Sequence, residues 1–169
     1  MKNIFLIGFM GTGKTSVGKK LARDKQWQFV DLDDRIEAKE KRKIADIFTQ
    51  DGEPYFRQVE KQVLREVSLG SDLVVACGGG IVIDTENIQI MKKAGILVCL
   101  TAPAEVIIER TKGFAHRPLL NVPDPKEKIE SLLKQRLPSY KLADVCVDTS
   151  GVSVGEVAEK ISRIIKDYD

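Results

Sequence analysis

Residues 8–15 read Gly-Phe-Met-Gly-Thr-Gly-Lys-Thr, a G-x-x-x-x-G-K-[ST] pattern. Glycines let a backbone bend tightly and approach a bulky ligand with no Cβ in the way. Peptide N–H groups then converge on an anion at the positive end of a helix dipole. Lys14 adds a point charge suited to β- and γ-phosphates, and the Thr15 hydroxyl is a ligand for Mg2+. A plain strand–helix turn would need one glycine and no lysine. By composition alone the pattern arises about once in two hundred chains of this length. Here it follows an apolar run, residues 3–7, and opens an amphipathic one, the context the chemistry requires. The corner is therefore read as a grip for a nucleoside triphosphate.

Such a grip serves kinases and switches alike, so the rest of the chemistry must come from other loops. In open parallel sheets, ligands gather outside the carboxyl ends of the strands. After the second apolar run comes Asp-Leu-Asp-Asp, residues 31–34. Asp31 and Asp33, two apart, would point to one side of an extended stretch, one serving Mg2+ and the other a substrate hydroxyl. The competing reading is a helix N-terminus, where acids offset the dipole; Asp34 is assigned that part. The third run lacks the metal-binding Asp often found at its end, which favours Asp31 for the metal. Gly78, Gly79 and Gly80 are either a flexible bend or a set of bare N–H groups for an anion. Arg57 follows Phe56, and Arg136 precedes Leu137; taken singly, each reads as a solvated helical arginine. Residues 111–125, Thr-Lys-Gly-Phe-Ala-His-Arg-Pro-Leu-Leu-Asn-Val-Pro-Asp-Pro, lack periodicity and are too long for an ordinary connection. They are predicted to form a lid, with Arg117 closing over the γ-phosphate and Arg110 just before it. His116 is the only histidine, which excludes a His-dependent triad or a multi-histidine metal site unless it acts alone.

These residues need elements to position them. Candidate strands are residues 3–7, 28–31, 72–77, 96–100 and 145–148, near-continuous apolar runs as expected of strands covered on both faces. Between them, Ile44, Ile47 and Phe48 share a helix face that stops at Gly52. Pro54 then opens a helix with a Phe56, Val59, Val63 and Val67 stripe. Asp124, Pro125 and Glu127 start one further helix, and Ser153 with Glu156 caps another. The βαβ alternation predicts an α/β fold with a parallel sheet and helices on both faces, in one domain over residues 1–169. The 169-residue length, 43% apolar and 31% charged content suit such a domain, and a net charge of +2 with scattered basic residues argues against nucleic acid. The N-terminal apolar run passes into the glycine bend without a cleavage site, so a buried strand in a cytoplasmic protein is expected rather than a leader. No run reaches a membrane span. Cys77, Cys99 and Cys146 are read as small core hydrophobes.

Taken in order, the glycine loop, DLDD, FRQVE (residues 56–60), GGG, RPLL (residues 117–120) and RLPSY (residues 136–140) resemble the shikimate kinase family along the whole chain. The resemblance implies a nucleoside-monophosphate-kinase-like P-loop fold, three layers with five parallel strands in the order 2-3-1-4-5. It implies transfer of the ATP γ-phosphoryl group to the 3-hydroxyl of shikimate, with Mg2+; a monomer is expected. By similarity, Gly11, Thr12, Gly13, Lys14, Thr15, Ser16, Arg110 and Arg117 contact ATP, Arg110 near the adenine. Asp33, Arg57, Gly78, Gly79 and Arg136 hold shikimate, with Asp33, Lys14 and Arg117 catalytic. Thr15 ligates Mg2+ directly and Asp31 supports it. A carboxylate of ordinary pKa, about 3.9, is a weak base for an alcohol, so Asp33 is expected to act chiefly by orientation. Residues 149–157, after the last strand, lack the basic residue and proline usual beside the adenine. Related small-molecule kinases acting on gluconate or a nucleoside monophosphate are the alternative. A switch or transport ATPase is disfavoured, since the chain has no NKxD and is too short for an ABC-type cassette.

Overall fold

The structure, a computed structural model, describes residues 3–112 and 123–168. Strand β1 (Asn3–Ile7) is buried throughout, and its side chains alternate between two cores as a period of two demands. Ile4 and Leu6 meet Val17 and Leu21 of α1 (Lys14–Lys25) and Val157 and Ile161 of α7 (Val154–Ile165). Phe5 and Ile7 join Val59, Val63 and Leu64 of α3 (Ile44–Ser68), with Ile88 and Met91 of α4 (Thr85–Ala94). Helices on both sides are what make the strand read as one unbroken apolar run.

Around β1 the parallel sheet runs β2-β3-β1-β4-β5, the predicted order. Phe5 pairs with Val75 of β3 (Leu73–Ala76) and with Leu97 of β4 (Ile96–Thr101). The edges are β2 (Gln28–Asp31) and β5 (Val145–Asp148), and here the expectation of cover on both faces fails. Val145 and Val147 are buried, whereas Cys146 and Asp148 are exposed, because an edge strand has one neighbour and incomplete cover. Cys77 and Cys99 are core residues as expected; Cys146 is not.

Helix α2 (Leu32–Glu40) starts directly at the end of β2 and buries Leu32 and Ile36. Helix α3 is broken at Gly52, whose φ of 79° and ψ of 174° lie outside helical geometry. Pro54 resumes the helix, and Phe48 packs on Phe56 across the break with ring centroids 4.7 Å apart. Helices α5 (Ala104–Thr111) and α6 (Pro125–Tyr140) shelter a small third core of Phe9, Ala104, Ile107 and Ile129. Asp124 accepts the Glu127 N–H at 3.0 Å, with Pro125 at the first helical position. Ser153 and Glu156 form the expected capping box. Of residues 111–125, the segment predicted as a lid, Thr111 closes α5 and Pro125 opens α6. Residues 113–122, Arg117 among them, lie outside the described residues. Among the described residues, no helix is long and apolar enough to cross a membrane.

Candidate active site

The loop between β1 and α1 is shaped by glycine where nothing else fits. Gly8 has φ 138°, and a Cβ there would fall 2.2 Å from the Leu100 carbonyl oxygen. Gly13, at φ 93°, precedes α1 and offers no side-chain cap. The first-turn N–H groups are thus left for an anion. Lys14 arches back and donates from Nζ to the carbonyls of Gly8 and Phe9, both at 2.9 Å. Thr12 is buried and donates to the Phe9 carbonyl at 2.7 Å, so its side chain braces the loop and leaves its backbone to any ligand. Gly11 has φ 76°, and Ser16 is exposed in the first turn of α1.

Asp31 is brought to the same corner because β2 ends level with the loop. The Thr15 hydroxyl donates to Asp31 Oδ2 at 3.1 Å. Asp31 Oδ1 accepts the N–H of Asp33 at 3.0 Å, which makes Asp31 the N-cap of α2. The expected extended pair is therefore not found. Asp33 lies in the first turn of α2 beside Asp34, because the cap turns the chain into a helix as soon as the strand ends. Arg110, in the last turn of α5, donates to the Gly11 carbonyl at 3.2 Å and to the Thr149 hydroxyl and carbonyl at 2.8 and 2.6 Å. It links the phosphate loop to the loop after β5, the segment that lacks a basic residue of its own.

A second corner forms where the glycine run after β3 meets three helices. A Cβ on Gly78 would lie 3.0 Å from Glu60 Oε1 and 3.2 Å from Asp33 Oδ1. One on Gly80 would lie 2.4 Å from Arg57 Nη2, so a side chain there would displace the guanidinium. One on Gly79 would lie 3.4 Å from the Gly8 carbonyl oxygen and 3.6 Å from the Met10 nitrogen. Gly79 thus touches the phosphate loop while its own carbonyl accepts from Arg136 Nη1 at 3.2 Å and from the Tyr140 hydroxyl at 2.9 Å. The glycines give close approach from every side, which a flexible bend would not require.

Charge at this corner is partly unanswered. Arg57 donates to Glu53 at 3.0 Å and to Glu60 at 2.7 Å. Glu60 is 1% exposed and its Oε1 has no hydrogen-bond partner among the described residues. Burial pushes its carboxyl up to about 7, against the pull of the Arg57 guanidinium, with Asp33 and Glu53 adding repulsion. Arg136 is 8% exposed, stacks over the Phe9 ring at 5.4 Å and makes no ion pair among the described residues. Its Nε lacks a partner. A guanidinium so far from water without a carboxylate is costly, and an incoming anion relieves that cost. A cavity of about 580 Å3 adjoins the corner and shares Arg57 and Gly80 as walls, ample for a small molecule.

Thr15, Asp31, Asp33, Arg57, Gly78, Gly79 and Arg136 are therefore brought together with the loop of Gly8–Lys14, and Arg110 stands at its far edge. Sequence reasoning missed Glu60 and Tyr140. Glu60 follows Phe56 by four and Val59 by one, which puts an acid on the buried stripe; Tyr140 follows Arg136 by four on the same face.

The family model for shikimate kinase matches residues 10–166. The shikimate kinase of Thermodesulfovibrio yellowstonii is 47% identical over all of this chain and 96% of its own length. A shikimate kinase from Acinetobacter baumannii, solved in complex with shikimate, superposes with a TM-score of 0.95 at 38% identity, over 100% of this chain and 95% of that one. A gluconokinase from Sinorhizobium meliloti, at 16% identity and a TM-score of 0.62 over 99% of this chain and 95% of that one, shares the fold alone. With the phosphate loop and the anion-accepting corner touching at Gly79, and these likenesses running the length of the chain, the protein belongs to the shikimate kinase family of ATP-dependent phosphotransferases.

Proposed function

We propose that the phosphate loop holds the ATP triphosphate while the Gly78–Gly80 corner holds shikimate, and that the γ-phosphoryl group passes to the 3-hydroxyl across Gly79. The observation that supports this most is the convergence at Gly79, where a Cβ would lie 3.4 Å from the Gly8 carbonyl oxygen and 3.5 Å from Arg136 Nη1. Arg136 and Arg57 take the carboxylate, for which a planar fork of donors is suited. Asp33, next to Gly78, accepts the proton-bearing hydroxyl and aligns it. A loose phosphoryl-transfer transition state asks for alignment and charge neutralisation more than for a strong base. Glu60 holds Arg57 in place, its Oε2 accepting from Arg57 Nη1 at 2.7 Å. Lys14, now resting on loop carbonyls, turns to the β- and γ-phosphates when they arrive.

Thr15 and Asp31 would hold Mg2+. Both are hard oxygen donors, 3.1 Å apart and at the open edge of the loop. Two such donors suit an ion that keeps most of its waters and shares the phosphate oxygens. Among the described residues no cluster of three or more acids, cysteines or histidines could hold a metal without substrate. When bound, Mg2+ neutralises charge on the transferring phosphoryl group. Arg110 carries the nucleotide end through Gly11 and Thr149. Arg117 is assigned to the γ-phosphate by resemblance. Both corners come from one chain, so the proposed site needs no second copy.

ADP release measured with shikimate, gluconate and nucleoside monophosphates tests the reading. Shikimate-dependent release that stops when Mg2+ is chelated is the expected result. Release with gluconate or a nucleotide but not shikimate would contradict it, as would acceptor-independent hydrolysis.

A further inference from the structure

Two cysteines stand side by side at the β4–β5 edge, outside the machinery described above. Cys99 and Cys146 are direct register partners on the parallel strands. Neighbouring strands run about 4.8 Å apart, within the roughly 4.4–6.8 Å Cα separation that a disulfide bridges. Register partners project to the same face of a sheet. Cys99 belongs to the core that holds Phe5, Ile7 and Tyr140, and the Cys146 sulfur lies 4.0 Å from the Tyr140 carbonyl oxygen on that side. Burial and then the neighbouring Cys146 thiol push Cys99 up to about 12. Exposure divides them, since Cys146 is open to solvent and Cys99 is buried.

We propose that Cys99 and Cys146 are a reversible dithiol switch that a hydroperoxide closes to a disulfide, weakening acceptor binding at Gly79. Cys146 is the attacking group, because it is the one a peroxide reaches. Its thiol loses a proton to water and the sulfur attacks a peroxide oxygen. The O–O bond breaks and the departing hydroxide is protonated to water, leaving a sulfenic acid. The Cys99 sulfur then attacks the Cys146 sulfur. The S–O bond breaks, and the leaving hydroxide takes the Cys99 proton as a second water. Two thiols are oxidised and one peroxide is reduced, the Cys99 sulfur giving up its proton as it attacks. A bridge at an exposed edge stays open to reduction by small thiols.

The link to the site runs through Tyr140. Its hydroxyl holds the Gly79 carbonyl at 2.9 Å, beside Arg136, and its ring shares a core with Cys99. Drawing the Cys146 sulfur inward changes the contact it makes with the Tyr140 carbonyl at the end of α6. Cys77 is the internal control: it is buried and faces the Met91 sulfur at 3.8 Å.

The test treats the full chain with one molar equivalent of hydrogen peroxide, then counts thiols after unfolding and maps peptides by mass. Two of the three cysteines should be lost as an intramolecular 99–146 bridge, with a mass change of about −2 Da. Cys99→Ala should stop at a sulfenic acid on Cys146 that dimedone traps, and Cys146→Ser should lose no thiol. Closure should raise the acceptor KM about threefold, as expected for a weakened hydrogen bond, leave the ATP KM unchanged, and reverse with dithiothreitol. Three intact thiols, a bridge to Cys77 or between chains, or a bridge that leaves the acceptor KM unmoved would overturn the proposal.

Discussion

The two corners of the site are built in different ways. The phosphate loop is contiguous, residues 8–15, and satisfies itself: Lys14 and Thr12 bond to carbonyls of the same loop. The acceptor corner draws Asp33 from α2, Arg57 and Glu60 from α3, three glycines from the loop after β3, and Arg136 and Tyr140 from α6. Among the described residues it leaves Glu60 Oε1 and Arg136 Nε without hydrogen-bond partners. Backbone N–H groups and a helix dipole grip any polyphosphate, so one local motif is enough. Selecting a particular acid needs charged side chains whose cost is relieved only by the right ligand, and such groups must be gathered from distant parts of the chain.

The largest effects are expected from removing, at each corner, the group assigned to the transferring phosphoryl or its acceptor hydroxyl. Lys14→Ala and Asp33→Asn should each lower kcat by about a thousandfold or more while leaving the thermal melt intact. Near-normal turnover in folded Asp33→Asn would remove Asp33 from the mechanism. Arg136→Met should separate the corners. The acceptor loses about 2–5 kcal/mol of binding, read as an acceptor KM raised thirtyfold or more with the ATP KM within about threefold. The free protein should be no less stable, since a buried unpaired charge is gone. An equal rise in both KM values would show that the corners are not separate.

Glu60 gives a stability test. Its folded pKa of about 7 exceeds the ordinary value of 4.5, so the folded state holds this proton more tightly than the unfolded chain. The contribution is complete below pH 4.5 and is lost as pH rises through 7, about 3 kcal/mol in all. Wild type should therefore lose stability relative to Glu60→Gln across that window in denaturant titrations, and a difference independent of pH would contradict the buried acid. The smallest effect is expected of Tyr140→Phe. Losing one of two donors to the Gly79 carbonyl costs about 1 kcal/mol, or roughly fivefold in acceptor kcat/KM, with nucleotide parameters unchanged.

What could be read ahead of the structure follows the same division. The strands and the phosphate loop were legible because their signals are local: an apolar run, a glycine bend, a lysine. The 2-3-1-4-5 order came from resemblance and matches the observed sheet. The relation of Asp31 to Asp33 was misread as an extended pair, because a strand that passes into a helix without a loop leaves no spacer to mark the change. Cys146 was misread as core because its neighbours Val145 and Val147 are apolar, while edge position is a property of the whole sheet. Glu60 and Tyr140 were quoted within their motifs without roles; their importance depends on Gly78 and Gly79, far away in sequence.

The proposed transfer requires the two corners to open on one another across Gly79, and a crystal grown with ADP and shikimate checks this. The ADP β-phosphate is expected in the Gly8–Thr15 loop, the acid's carboxylate on Arg136 and Arg57, and its 3-hydroxyl beside Asp33 facing the phosphate. Shikimate bound away from Arg136, or with its hydroxyls turned from the nucleotide, would contradict it.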